Sequence, residues 1–372
     1  MTTTVSEERS QETGADVPLS PAITNSEVVL FTGAGASVPL GLPTTESFLQ
    51  DLAKEVQTDS GAQSIYLAAV DELGSQANIE RLLDLIAAWG ADPPKIPRRL
   101  VDRRITGFAP EVVASRIPRL EQAALRLITA RYSDVDAERA YFLYLWLFFF
   151  LKSFAERWCP LPIFTTNYDW TFERVAERLK KRLNNVIDGF VMRPMGNVWD
   201  PGVFHRLKGG RTWQLPLFKL HGSTSWYRQT SRSVIKMMHA ERDPGQLKNV
   251  LIYPTQSKSS LVLEDPFRTA YEYLSACLRT GARLCLVIGY SFRDPEISAA
   301  FRIALVDNRR LELIILNPTP DKDRIIADLQ DSSGRITFIE DEFQYYGIDL
   351  NSKLRDAIVD RATPNSILMR KP

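Results

Sequence analysis

The segment SEVVLFTGAGASVPLGLPTTESFLQDLAKEV, residues 26–56, decides how the chain is read. SEVVLF is a short apolar run of strand length, and PTTESFLQDLAKEV opens an amphipathic helix. Between them stand Gly33, Gly35, Ser37 and Gly41. Glycines at a strand-to-helix turn let the backbone approach a phosphate closely, and the free amides and positive end of the following helix favour an anion. A nucleotide diphosphate is the natural guest. The spacing is not the G-x-G-x-x-G of dehydrogenases. The third glycine, Gly41, comes late, and Asp51 and Glu55 fall inside the helix rather than at the end of a second strand. Hydride transfer is therefore disfavoured.

Working outward, polar strings follow other apolar runs in the same way: TTNYD at 165–169, LHGS at 220–223, GYSF at 289–292 and LNP at 316–318. Helices are predicted at WTFERVAERLKKRL, PFRTAYEYLSACLRT and DPEISAAFRIALVD, and further strands at NVLIYP and GRITFIED. The stretches 188–216 and from LHGS to about 250 read as irregular. Repeated strand then helix, with polar residues after the strands, predicts an α/β fold: a doubly wound, mostly parallel Rossmann-like sheet, with a ligand at the strand ends. Residues 60–154 carry leucines and isoleucines at three- and four-residue spacing, as in NIERLLDLIAAW, and read as a helical insertion broken near 93–99. Its role stays open between a lid or assembly surface and plain scaffold.

At 372 residues the chain is long enough for one elaborated domain or two. Lys and Arg number 46 against 45 Asp and Glu, a formal charge of +1, so there is no global footprint for nucleic acid. The run Arg98, Arg99, Arg103 and Arg104 reads either as a contact for a partner or polyanion or as a solvated face. Cys159, Cys277 and Cys285 form no C-x-x-C pair, so neither a disulfide framework nor a zinc ribbon is expected, and a cytoplasmic location fits. Residues 1–22 are polar, without the apolar segment of a secretory signal, and are predicted to be a disordered tail; 351–372 are predicted to be a C-terminal helical tail. YFLYLWLFFFLKSF at 141–154 is too short to span a bilayer and contains Lys152, so a helix buried in the core or at a subunit contact is expected.

The ordered set GAGAS with GLPT, TTNYD, LHGS, GYSF with Asp294, and LNP resembles the SIR2 family, and more closely the SIR2-like NAD hydrolases of bacterial anti-phage defence. The resemblance implies an NAD-binding domain made of 23–59 and 155–350, with NAD as substrate and no metal. It further implies Asn167 and His221 as catalytic residues, and Gly33, Ala34, Gly35, Ser37, Thr44, Thr166, Asp169, Gly289, Ser291 and Asn317 as NAD contacts. Two departures bear on the reaction. The four-cysteine zinc module of protein-deacylating members is missing, and Thr44 and Thr45 follow Pro43 where deacylases place a Phe and an Arg that exclude water. Both favour hydrolysis to nicotinamide and ADP-ribose over protein deacylation. Cyclisation, ADP-ribosyl transfer and a nucleotide sensor with residual catalysis stay open. An uncontrolled NAD hydrolase would kill its host, so control is expected through a homo-oligomer or a partner such as a HerA-type ATPase or an Argonaute. No membrane and no direct nucleic-acid partner are expected.

Cleaving the nicotinamide–ribose bond expels a ring that is already cationic, so the leaving group needs no general acid, unlike an ordinary glycoside. The site must orient the sugar and supply an activated oxygen nucleophile. An imidazole, with an ordinary pKa near ~6.5, accepts a proton at neutral pH. His221 suits that task, or else caps a strand end. Asn167 offers a donor and an acceptor without a charge, for a water or a ribose hydroxyl, and Asp169 a hold on the ribose or the nicotinamide amide. Both also suit a turn and helix cap before WTFERV. Asn317 reads either as an adenosine-ribose contact or as a turn former before Pro318. Ser291 reads as a phosphate or ribose contact; it lies in no serine-hydrolase elbow, because Arg293 stands where G-x-S-x-G needs its last glycine. His205 and His239 match nothing and read as surface residues.

Overall fold

The computed structural model describes residues 19–91, 110–154, 160–179, 186–194, 196–207, 214–228, 233–237, 248–252, 262–344 and 348–359. The first elements are α1 (Pro21–Thr24), β1 (Val28–Thr32), a 3-10 segment (Ala34–Leu40), α2 (Thr45–Glu55), α3 (Ser60–Leu73), α4 (Ile79–Ala91), α5 (Pro110–Ser133) and α6 (Ala137–Lys152). There follow β2 (Ile163–Thr165), α7 (Thr171–Leu179), β3 (Val186–Ile187), β4 (Phe190–Arg193), β5 (Gly196–Trp199), α8 (Gly202–His205), β6 (Leu215–Lys219), β7 (Gly222–Arg228), β8 (Val234–Lys236) and β9 (Lys248–Leu251). The chain then runs through α9 (Phe267–Thr280), β10 (Leu284–Ile288), α10 (Pro295–Asp307), β11 (Glu312–Leu316), α11 (Lys322–Leu329), β12 (Ile336–Ile339) and α12 (Ile348–Val359).

A parallel sheet of seven strands, ordered β12-β11-β10-β1-β2-β6-β3, forms the centre. Its strands are apolar on both faces, as a sheet covered on both sides requires. Val28 and Leu30 of β1, with Leu284, Leu286 and Ile288 of β10, face one layer with Leu147 and Phe148 of α6 and Leu350 and Leu354 of α12. Val29 and Phe31, with Cys285 and Val287, face the other, among Leu274 of α9, Phe301 of α10 and Ile325 of α11. The sheet is therefore doubly wound, as expected. The order reverses beside β1: β2 and β6 extend to one side, and the chain returns as β10 on the other, which makes β1/β10 the topological switch point.

The helix α6 lies in the core: Asp136 caps its start, and Ala140, Leu143, Tyr144, Leu147, Phe148 and Leu151 are buried against the sheet. Each such large apolar side chain contributes about 1.5–3 kcal/mol. Among the described residues no helix is long and apolar enough to cross a membrane.

Several expectations change. The chain is built into the fold from Leu19, not from residue 23, because the Ser20 amide donates to the Tyr273 hydroxyl at 3.0 Å. The packing also divides the helices differently from the limits 60 and 154. Phe48 and Leu52 of α2 join α3, α4 and α5 in one apolar cluster, whereas α6 belongs to the sheet. In place of irregular chain, 188–250 contains a second, antiparallel sheet, β4-β5-β8-β7-β9, and NVLIYP supplies its edge strand β9. Phe190, Trp199, Trp226 and Phe267 give that sheet an aromatic core. The predicted C-terminal tail begins inside the core, since Leu350, Leu354 and Ile358 of α12 are buried. Cys159, His239, the break at 93–99 and Arg98, Arg99, Arg103 and Arg104 lie outside the described residues.

Candidate active site at the strand ends

The five polar strings follow β1, β2, β6, β10 and β11, which are neighbours in the sheet. Backbone bonds carry the parallel ladder just past the strands: Thr166 N donates to Thr32 O at 3.1 Å, and Leu220 N to Thr165 O at 2.8 Å. This places Asn167 and His221 each two residues beyond adjoining strand ends, Thr165 and Lys219.

The glycines serve a different contact from the one expected. Gly33 N donates to Ile288 O at 2.9 Å and Gly35 N to Gly289 O at 3.0 Å, so these amides are spent on the protein rather than left for an anion. A Cβ on Gly33 would stand 2.7 Å from Gly289 O, and one on Gly35 2.7 Å from Gly289 Cα. Gly289 itself has φ +62° and would meet Ala36 N at 2.3 Å. The glycines let the loops after β1 and β10 lie backbone to backbone across the switch point.

Asn167 is tied down from behind. Its Nδ2 donates to Gly33 O and to Ser37 Oγ, both at 2.9 Å. Ser37 Oγ in turn donates to Asp169 Oδ2 at 2.7 Å. Asp169, expected to reach the ribose or nicotinamide, is only 3% exposed, and its Oδ1 accepts the Thr171 amide at 2.9 Å at the start of α7. Tyr132 and Tyr144 lie near enough to feel its charge. Burial first, and the nearby Asp169 charge second, hold both phenols above their ordinary value, so they stay neutral. Their hydroxyls donate to Pro43 O and Ala36 O, fixing the loop after β1.

His221 Nε2 lies 3.0 Å from Asp294 Oδ2, and both side chains are less than a tenth exposed. Asp294 also caps α10, its Oδ1 accepting from the Glu296 and Ile297 amides. A carboxylate only accepts, so the Nε2 of His221 donates in this bond. The His221 carbonyl accepts from Ile252 N at 2.9 Å, and the Tyr168 hydroxyl donates to Ile252 O at 2.7 Å, which joins β9 to the site.

Beneath the two residues, Lys219 at the end of β6 forms an ion pair of 2.9 Å with Glu173 on α7, both almost wholly buried. Lys219 also donates to the Asp169 carbonyl and to Ser223 Oγ. The strand bearing His221 is thereby linked to the turn bearing Asn167.

Of the remaining expected contacts, Thr44 is the N-cap of α2, accepting from Ser47 N, and Asn317 Oδ1 accepts from Thr319 N in a turn. Ser291 is exposed, and its carbonyl accepts from Arg324 Nη2 at 2.6 Å. His205 is half-buried in α8. Among the described residues no three His, Cys, Asp or Glu side chains converge as a metal site would need.

Asp294, Lys219 and Glu173 join the site without a role expected for them from the sequence. Signals existed for two of them: Asp294 before Pro295 is a helix-start signature, and a lysine inside the apolar LPLFKL is a charge that must find a buried partner.

Sheet order and strand ends together define a doubly wound α/β protein with a Rossmann-like parallel sheet. The family model of the SIR2-like domain matches residues 162–349, and the chain belongs to that family. The matched span contains Asn167, His221, Asp294 and Asn317. A solved structure described as Sir2Tm bound to a propionylated peptide is similar at 13% sequence identity, covering 90% of this chain and 94% of that one, with a TM-score of 0.35. No curated protein sequence matches the chain.

Proposed function

We propose that this protein hydrolyses NAD at the nicotinamide–ribose bond, giving nicotinamide and ADP-ribose. The observation that carries the reading is the pair Asn167 and His221 on adjoining strand ends, one tied through Ser37 to a buried carboxylate and the other bonded directly to one. In the reaction a water oxygen bonds to the anomeric carbon of the ribose. The carbon–nitrogen bond breaks with its electron pair going to nicotinamide, which leaves neutral. The water proton passes to His221 Nδ1, and Asp294 stabilises the imidazolium so formed. Asn167 orients the water or a ribose hydroxyl. Thr44, short and engaged at the start of α2, leaves room for water where a deacylase keeps it out. The dinucleotide lies over the loops after β1, β10 and β11, with Ala34, Ser291 and Asn317 as its contacts. Depletion of NAD in defence against phage, under control of self-assembly or a partner, belongs to the same proposal.

Chromatography of products after incubation with NAD tests it. Wild-type protein yields nicotinamide and ADP-ribose, and His221→Ala or Asn167→Ala each lowers turnover by about 1,000-fold with the fold intact. Turnover retained by both variants sinks the mechanism, and NAD bound without turnover favours a sensor.

A further inference from the structure

Resting on that reading, we infer that Arg324 is a positioning residue: its guanidinium locks the loop after β10 in a strained shape and so holds Asp294 against His221. The strain is at Phe292, which has φ +56°. Among the described residues the other non-glycine position with positive φ is Gln330, where the left-handed turn ends α11 in the ordinary way. Phe292 ends no helix, and a bulky side chain disfavours this region of backbone space. It lies two residues before Asp294, the acid that meets His221.

Phe292 is held from both sides of its Cα. The angle φ turns the peptide joining Ser291 to Phe292, and the carbonyl of that peptide, Ser291 O, accepts from Arg324 Nη2 at 2.6 Å. The angle ψ turns the next peptide, and its carbonyl, Phe292 O, accepts from Arg324 Nη1 at 3.2 Å and from Ser298 Oγ at 3.1 Å. One planar fork therefore grips both peptide units that flank the strained residue. The side chain fixes the Cα from a third direction: Phe292 is 1% exposed, with its ring centroid 5.0 Å from that of Tyr290 and 5.2 Å from that of Phe301. On the other edge of the guanidinium, Nε donates to Asp321 Oδ2 at 3.1 Å and Nη1 to Asp328 Oδ2 at 2.9 Å, which aims the fork from α11. Without the fork, the peptide before Phe292 turns to the negative φ that a side chain prefers, and the chain enters α10 along another path. Asp294 reaches His221 with one oxygen while the other caps α10, so a shift of that path costs one bond or the other. Strain of this kind persists beside a functional pair where the surroundings over-determine it.

Arg324→Met keeps the apolar stem and removes the fork; Arg324→Lys keeps the charge but, as a single ammonium, cannot grip both carbonyls in the same way. The readout is the His221 Nε2 proton in protein labelled at histidine, assigned by its loss in His221→Ala. Held by Asp294, it exchanges slowly with solvent in the wild type. It exchanges about tenfold faster in Arg324→Met, while the backbone amides of β1 and β10 keep their wild-type rates. Arg324→Lys shows the same change in smaller degree and serves alone if Arg324→Met does not fold. Asp328→Asn, which removes an ion pair and leaves both carbonyl bonds, exchanges as the wild type does. The kcat for NAD falls in step, by about tenfold in Arg324→Met. Fast exchange already in the wild type, unchanged exchange in both Arg324 variants, or quickening shared by the amides of β1 and β10 overturns the inference. So does an Asp328→Asn protein that matches Arg324→Met, or turnover kept while exchange quickens. Quickened exchange in Arg324→Met, in a chain whose wild type leaves NAD intact, removes the hydrolase reading and keeps the positioning.

Discussion

At the ends of the parallel strands Asp169, Glu173 and Asp294 are buried, each bound to a neutral donor, an amide or a buried base. In the helical unit of α2 to α5 the acids reach outward instead: Glu55 to Arg126 at 3.7 Å and Asp51 to Arg131 at 2.8 Å, with the arginines 62% and 54% exposed. Even Asp59, whose carboxyl sits below its ordinary value, owes that first to the backbone amide of Ala62, with Arg119 a lesser cause. The same residue types therefore do two kinds of work. In the helical unit an apolar cluster around Leu52, Ile65, Leu82, Trp89 and Leu120 holds the helices, and the charges decorate its surface. At the strand ends the charges are placed where orientation matters and where a lost partner cannot be replaced by water.

The contrast is sharpest in substitutions that remove one partner of an ion pair. Lys219→Met strands Glu173 in the interior and takes the anchor from the Asp169 carbonyl, so a loss of about 3–5 kcal/mol is expected in urea unfolding. A loss below about 1 kcal/mol breaks the comparison, because the pair would then behave as a surface pair. Asp294→Asn keeps the helix cap but removes the charge facing His221, and about a 100-fold drop in kcat is expected with only a small shift in melting temperature. Unchanged turnover means that Asp294 serves α10 alone. Smallest is Arg126→Ala in the helical unit: about 0.5 kcal/mol or less, vanishing in high salt, as measured by the same unfolding experiment.

Much of the fold was legible because β1, β2, β6, β10 and β11 are largely apolar and each is followed by a short polar string. That pattern needs only the chain's own periodicity. Strand β9 and the pair β4 and β5 were not legible as a separate sheet, since NVLIYP looks like any buried strand and 188–216 is short of apolar runs. Their assembly depends on Phe190, Trp199 and Trp226 meeting from distant positions. The positions of Asn167 and His221 just past neighbouring strand ends were legible, because both follow apolar runs. At Gly33 and Gly35 the sequence reports only that something comes close, and the structure shows the loop after β10 there.

By itself the sequence determined the parallel sheet and the edge of it at which Asn167 and His221 stand. These follow from local periodicity and from the fixed direction of parallel strands. Only the tertiary structure decided that Gly289 fills the space at Gly33 and Gly35, that Asp294 belongs to His221, and that Ser37 and Asp169 stand behind Asn167. Each of those relations joins residues from separate strand ends, up to 256 positions apart for Gly33 and Gly289, counting 289 − 33. Hydrogen-bond polarity is a property of the assembled chain of donors, and no single position along the sequence encodes it.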